Sequence, residues 1–197
     1  MAIVIRDEFT DTDGTLLTAH AIAPVNTPLA AWTALSGGAA IYSNRAQRAA
    51  TTDINVVDAL VSDCVVSVNL IITAGASAAI AYRVTDVNNW WMVRIINAGM
   101  DIYEFTASVL TMRATVAHTY NSGTSYPMVL TLDGAVATVL CDGATITYTS
   151  GVRQLVTNHG LRFSTAACYA DNFQIEIAGN PSPLPIAEYY KRRIITE

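Results

Sequence analysis

Residues 82–96 read YRVTDVNNWWMVRII. The segment has two apolar, β-favouring halves around TDVNN, which is a hairpin pattern. Successive side chains of a strand point to opposite faces, so Trp91, Val93 and Ile95 share one face and Trp90, Met92 and Arg94 the other. The preceding strand divides into Ile80, Tyr82 and Val84 against Ala79, Ala81 and Arg83. The more apolar set on each strand must face the core. Trp91 is therefore expected to be buried with Tyr82, and Trp90, Met92, Arg94 and Arg83 to share the outer face. An exposed Trp flanked by Arg is a candidate sugar platform; cover by a loop or a neighbouring subunit is the alternative. Asn88 and Asn89 fit the turn itself, because Asn tolerates left-handed backbone geometry.

The same alternation runs through the chain. Segments 65–72, 79–85, 90–96, 101–105, 127–132, 136–141, 145–149 and 172–177 read as short strands rich in Val, Ile, Thr and Tyr. Asp133-Gly134 and Asp142-Gly143 sit between alternating runs as hairpin signals. No long segment repeats apolar residues at helical spacing. The reading is all-β, an antiparallel sandwich or barrel.

Composition narrows the function. Hydrophobic residues make up 52% and charged residues 14% of the 197 residues, which excludes a disordered chain. The formal charge is -5, and ten of the eleven basic residues are Arg, dispersed except at Lys191-Arg192-Arg193. Phosphate binding needs clustered positive charge, so nucleic acid is not an expected partner. No uncharged apolar run is long enough for a membrane span. The opening MAIVIRDEF does not read as a secretory signal. Cys64, Cys141 and Cys168 lack metal-ligand or CxxC spacing and read as small buried hydrophobes. From Gly179 the chain reads GNPSPLPIAEYYKRRIITE. Its alternating Pro residues suit an extended linker. Ile186, Tyr189, Tyr190, Arg192 and Arg193 are expected to form an interface tail that packs on the chain's own domain or a neighbouring subunit.

An ordered set of motifs carries a resemblance: DEFTDTDGTLL (7–17) followed by Trp32, SNRAQ (43–47), AYRVTDVNNWWMVRI (81–95), the strands around both Asp-Gly turns, TNHGLRF (157–163) and ADNFQIEI (170–177). Together they resemble the concanavalin A-like lectin/glucanase (laminin-G-like) jelly roll, of the type found in bacterial surface proteins and bacteriophage virion proteins. The resemblance covers roughly residues 5–178. It implies two antiparallel sheets, one concave, with adjacent termini. Residues 1–178 are expected to form this sandwich and 179–197 the Pro-rich linker and docking tail.

Asp7, Asp11 and Asp13 lie in one acidic loop, and the resemblance places Asp171 beside it. Related domains often bind calcium there, and carboxylate oxygens suit that ion. The alternative is Asx hydrogen bonding within turns. No other cofactor is implied. Glucanases of this fold carry paired carboxylates on one strand face, and no such E-x-D-x-x-E motif is present. Asp101 and Glu104, three apart, fall on opposite faces. The expected function is therefore non-enzymatic, and the resemblance, with the low charge, few Lys and Pro-linked apolar tail, implies a structural bacteriophage virion protein, a capsid decoration or a tail- or fibre-associated jelly roll. It would be assembled in the host cytoplasm as a homo-oligomer with other virion subunits, and would bind a host-surface polysaccharide through Trp90, Arg83, Arg94 and Met92. The alternative is a carbohydrate-binding module of a bacterial surface or secreted protein; a glycoside hydrolase is a third reading.

Overall fold

A computed structural model describes residues 1–49 and 53–177. The expected linker and tail at 179–197, with Ile186, Tyr189, Tyr190, Arg192 and Arg193, lie outside the described residues. Sixteen strands are present among the described residues: β1 (Ile3–Asp7), β2 (Pro24–Asn26), β3 (Thr33–Ser36), β4 (Ala39–Ile41), β5 (Ala46–Arg48), β6 (Asp53–Asp58), β7 (Cys64–Ile71), β8 (Ala78–Asp86), β9 (Asn89–Ile96), β10 (Gly99–Thr106), β11 (Val109–Ala117), β12 (Ser125–Asp133), β13 (Val136–Cys141), β14 (Ala144–Thr149), β15 (Asn158–Phe163) and β16 (Tyr169–Ile177). A 3-10 turn spans Leu17–Ala19.

The strands form two antiparallel sheets. One runs β14-β13-β12-β7-β16-β1-β2, with β5 beside β16 and β4 beside β5; the other runs β11-β10-β9-β8-β15-β6-β3. Apolar side chains from both sheets meet in one core that includes Val66, Val68, Leu70, Tyr82, Trp91, Val93, Leu130, Val139, Phe163 and Phe173. Burial of this surface, worth about 25 cal/mol per Å² of apolar area removed from water, is what holds the sheets face to face.

Turn chemistry sets the register. At the β13–β14 hairpin Asp142 and Gly143 both take positive φ, 50° and 81°, as a two-residue turn matched to strand twist requires. Gly160 is demanded by a close approach instead. A Cβ there would stand 1.9 Å from the Asn55 carbonyl oxygen of β6, so only Gly lets β15 pair at this distance.

The quoted hairpin forms as β8 and β9, with Tyr82 opposite Trp91 and Asp86 opposite Asn89. Trp91 is buried and its ring stacks on Tyr82 at 6.2 Å between centroids and 24° between planes. One expectation fails. Between Tyr82 and Asp86 the register shifts, and Arg83 takes a positive φ of 49°. This bulge interrupts the alternation. Val84 then joins the outer apolar cluster, and Arg83 leaves the Trp90 side to donate to the Gly134 carbonyl of the other sheet at 2.5 Å.

Candidate functional site

The side of the seven-stranded sheet turned away from the core holds a second apolar cluster: Ile54, Val56, Ala79, Ala81, Val84, Trp90 and Met92, with Leu35, Tyr103 and Phe105 packed against it. Pairing between β9 and β10 lays these side chains in rows, with Trp90 opposite Phe105, Met92 opposite Tyr103 and Arg94 opposite Asp101. Beyond β10, Asp101 faces Thr115 of β11. Alternation places the rows, because every second residue of β9 and β10 projects on this side.

Trp90 is not exposed as expected. It retains 4% of its surface, and Met92 is fully buried. Phe105 lies against it at 5.0 Å between ring centroids, the Arg162 guanidinium sits 5.8 Å from the Trp90 ring, and Nε1 donates to the Val87 carbonyl at 3.0 Å. Phe105 from β10 and Arg162 from β15 lie against the ring, which one strand's alternation cannot show. Trp90 and Met92 are thus the floor of this face, and Tyr103 and Phe105 are half-buried above them.

Beside the aromatic floor lies a polar network. Arg94 Nε donates to Asp101 Oδ2 at 3.1 Å and Arg94 Nη2 to the Tyr103 hydroxyl at 2.8 Å. Its guanidinium lies 4.6 Å from the Tyr103 ring centroid. Thr115 Oγ1 donates to Asp101 Oδ1 at 2.7 Å. Arg94 keeps 24% of its side-chain surface, so the network is open to a ligand from one side. Arg162, on β15 across the intervening strand β8, adds a second guanidinium, with its Nε buried and without a hydrogen-bond partner. This arrangement offers apolar ring faces beside fixed donors and acceptors. Tyr103, Phe105 and Arg162 escaped sequence reasoning, and Asp101 entered it only beside Glu104, because their shared face depends on the β9–β10 and β8–β15 registers.

Asp101 and Glu104 do point to opposite faces, as their spacing requires. Glu104 stands opposite Trp91 and accepts from Arg113 Nη2 at 2.6 Å and Arg153 Nη2 at 2.9 Å. Arg83 is buried beside Trp91, Tyr82 and Tyr148 at one end of the sandwich, 3.6 Å from Asp63.

The calcium expectation does not fit the geometry. Both oxygens of buried Asp7 face donors: Oδ1 accepts from the Phe9 amide at 2.9 Å and Oδ2 from Trp32 Nε1 at 2.7 Å, while His20 Nε2 lies 2.9 Å from Oδ1. Asp11 holds the other His20 nitrogen at 3.0 Å and caps Thr12. Asp13 instead accepts from the Ser43 amide, and Asp171 from the Asn172 amide. Among the described residues, no group of three or more His, Cys, Asp or Glu stands ready to hold a metal. The missed partner was His20. Burial works against its charge, but the hydrogen bonds to Asp11 and Asp7 outweigh burial and hold the imidazole above its ordinary range. An imidazole takes the position beside Asp7 that the resemblance gave to a cation.

No protein-family model matches the sequence, and no curated protein matches it. Solved structures do. A carbohydrate-binding module, CBM66 from Bacillus subtilis, superposes with a TM-score of 0.60 at 16% identity, over 73% of this chain and 91% of that one. The Bacillus licheniformis beta-glucanase gives 0.58 at 10% identity, over 91% and 99%. The exoplasmic/lumenal domain of VIP36, in a Ca2+/Man3GlcNAc-bound form, gives 0.57 at 10% identity, over 82% and 90%. These likenesses lie in the path of the backbone, and they agree with the two-sheet topology. The chain thus has the concanavalin A-like jelly-roll fold, which it shares with these three structures.

Proposed function

We propose that this chain is a non-catalytic carbohydrate-binding module whose ligand lies on the outer face of the seven-stranded sheet. The observation that carries the reading is the Arg94–Tyr103–Asp101–Thr115 network set beside the Trp90–Phe105 pair. A sugar ring presents an apolar face and a rim of hydroxyls. Tyr103 and Phe105 would meet the former, and Arg94 and Asp101 the latter. The bound platform thus shifts from Trp90, Met92 and Arg83 to side chains above and beside them, with Arg94 kept. The carbohydrate-binding module and the glycan-bound domain among the similar structures support this reading by analogy of fold. A glycan array probed with the wild-type chain and with Arg94→Ala tests it. Binding that is lost in the variant supports the site; an array blank for the wild type removes the reading.

A second reading is a structural virion subunit, which can coexist with glycan binding. The open edge of β11 favours it. Nine residues long, with Val109, Leu110 and Met112 exposed, this edge suits pairing between copies. Electron microscopy of the source particle tests that placement. A chain recovered only as a free monomer, outside any assembly, contradicts it.

A further inference from the structure

Cross-strand register lays one polar row across the outer face of the seven-stranded sheet. Arg162 of β15 stands opposite Ala79 of β8, Ala79 opposite Arg94 of β9, Arg94 opposite Asp101 of β10, and Asp101 opposite Thr115 of β11. The row carries two guanidiniums and one carboxylate. That carboxylate, Asp101, is committed to Arg94 and Thr115. Arg162 is left over. It is half-buried, the Trp90 ring centroid lies 5.8 Å from its guanidinium, and it makes no hydrogen bond or ion pair among the described residues. Covering a guanidinium in this way is costly, because its N–H groups lose water without gaining an acceptor. Burial lowers the Arg162 pKa; Asp53 opposes that shift, and the positive charges of Arg94 and Arg48 add to it. Asp53 acts from the core side of the sheet, where it stands opposite Phe163 and its Oδ1 accepts from the Phe163 amide.

Arg162 and Arg94 stand two strands apart, about 10 Å between Cα atoms, with only the small Ala79 between them. Arg94 uses Nε and Nη2 on Asp101 and Tyr103, and its Nη1 makes no hydrogen bond among the described residues. Ala79 is fully buried, so a ligand would meet the two guanidiniums above it and not the sheet itself. In a chain of net charge -5, this pair is a local reversal of sign. We infer that the pair selects the ligand of the proposed sugar site: a saccharide bearing an anionic group, a carboxylate or a sulfate ester, held between Arg162 and Arg94 with its ring on Tyr103. The inference rests on the saccharide reading of this face and adds the ligand's charge to it. A guanidinium fork matches the paired oxygens of either group, and the resulting bonds are charge-assisted in a part-buried setting. A neutral sugar would leave the Arg162 charge uncompensated.

An array of neutral, uronic-acid and sulfated glycans, probed with the full chain, tests the charge directly. The strongest hits are expected to be acidic: uronic-acid glycans where the group is a carboxylate, sulfated glycans where it is a sulfate. Removing that group from the best hit, by carboxyl reduction or desulfation, is expected to weaken wild-type binding about tenfold or more in titration calorimetry. This comparison needs no variant, so it stands even where a substitution disturbs folding. Arg162→Gln is expected to lose the same factor on the acidic glycan and nothing on its neutral counterpart, with native near-ultraviolet circular dichroism. Hits confined to neutral glycans, or an acidic glycan bound equally well with and without its charged group, overturn the inference and leave the saccharide site standing. A folded Arg162→Gln chain with wild-type affinity for the acidic glycan overturns it in the same way. An array blank for every glycan overturns both.

Discussion

The guanidinium of Arg94 lies 4.6 Å from the ring centroid of Tyr103 and donates to its hydroxyl at 2.8 Å, across the β9–β10 pair. The same guanidinium holds Asp101. One arginine thus orients both an aromatic ring and a carboxylate on a face floored by Trp90 and Met92. A saccharide bound as proposed would meet side chains already joined to one another.

Both tryptophans of the quoted stretch are structural. Trp91 packs on Tyr82 and Tyr148, and Trp90 on Phe105. Truncation of either to Ala is expected to cost about 3–5 kcal/mol in urea unfolding. A Trp90→Ala chain with wild-type stability would show that its burial is not energetic cover.

Gly160→Ala is expected to destabilise by about 3 kcal/mol or more, because its Cβ would overlap the Asn55 carbonyl and prise β15 from β6. Thermal melting checks this. An unchanged midpoint would mean that the two strands separate without penalty.

Stability should respond to pH through two histidines of opposite sign. The folded-state pKa of His20 is raised from 6.5, so its stabilisation is complete below 6.5 and is lost as pH rises through the raised value. His159 is fully buried, accepts from the Arg83 amide through Nδ1 and donates through Nε2 to the Val61 carbonyl at 3.2 Å. Burial pushes it down to about 4, so its contribution is complete above 6.5 and is lost as pH falls through about 4. Denaturation profiles should lose the alkaline-side decline in His20→Gln and keep the acid-side decline. The opposite outcome would mean that His20 is neutral in the fold.

Trp32→Phe removes the Nε1 donor from Asp7 and leaves a buried carboxylate oxygen unpaired. The expected cost is about 1–3 kcal/mol beyond lost packing, measured by denaturant unfolding. A neutral effect would indicate that Asp7 finds another donor.

The larger sheet was legible because several of its strands, such as β7, β12 and β13, alternate buried with more exposed residues. Segment 136–141 coincides with β13, and 172–177 lies inside β16. β11 escaped notice because an edge strand is open on both faces, and VLTMRATVA shows no clean alternation. β6 escaped for the opposite reason: all of Asp53–Val57 is buried, with Asp53 and Asn55 turned to the interior, which contradicts the rule that polar residues face outward. Asp53 retains an unpaired Oδ2, and burial pushes its pKa up to about 6. The site was half legible. Arg94 lay on the predicted face, but the bulge at Arg83 has no sequence signature, since it needs an Arg at positive φ. Tyr103, Asp101 and Arg162 join the face only through cross-strand register, which hydrophobic pattern alone does not specify for neighbouring strands.

Titration calorimetry of the best array glycan, against the wild type, Arg94→Ala and Tyr103→Ala, decides most sharply whether a saccharide lies on this face. Measurable binding by the wild type is expected, weakened at least tenfold in each variant while near-ultraviolet circular dichroism stays native. Undiminished affinity in both folded variants would contradict a saccharide site beside Arg94 and Tyr103.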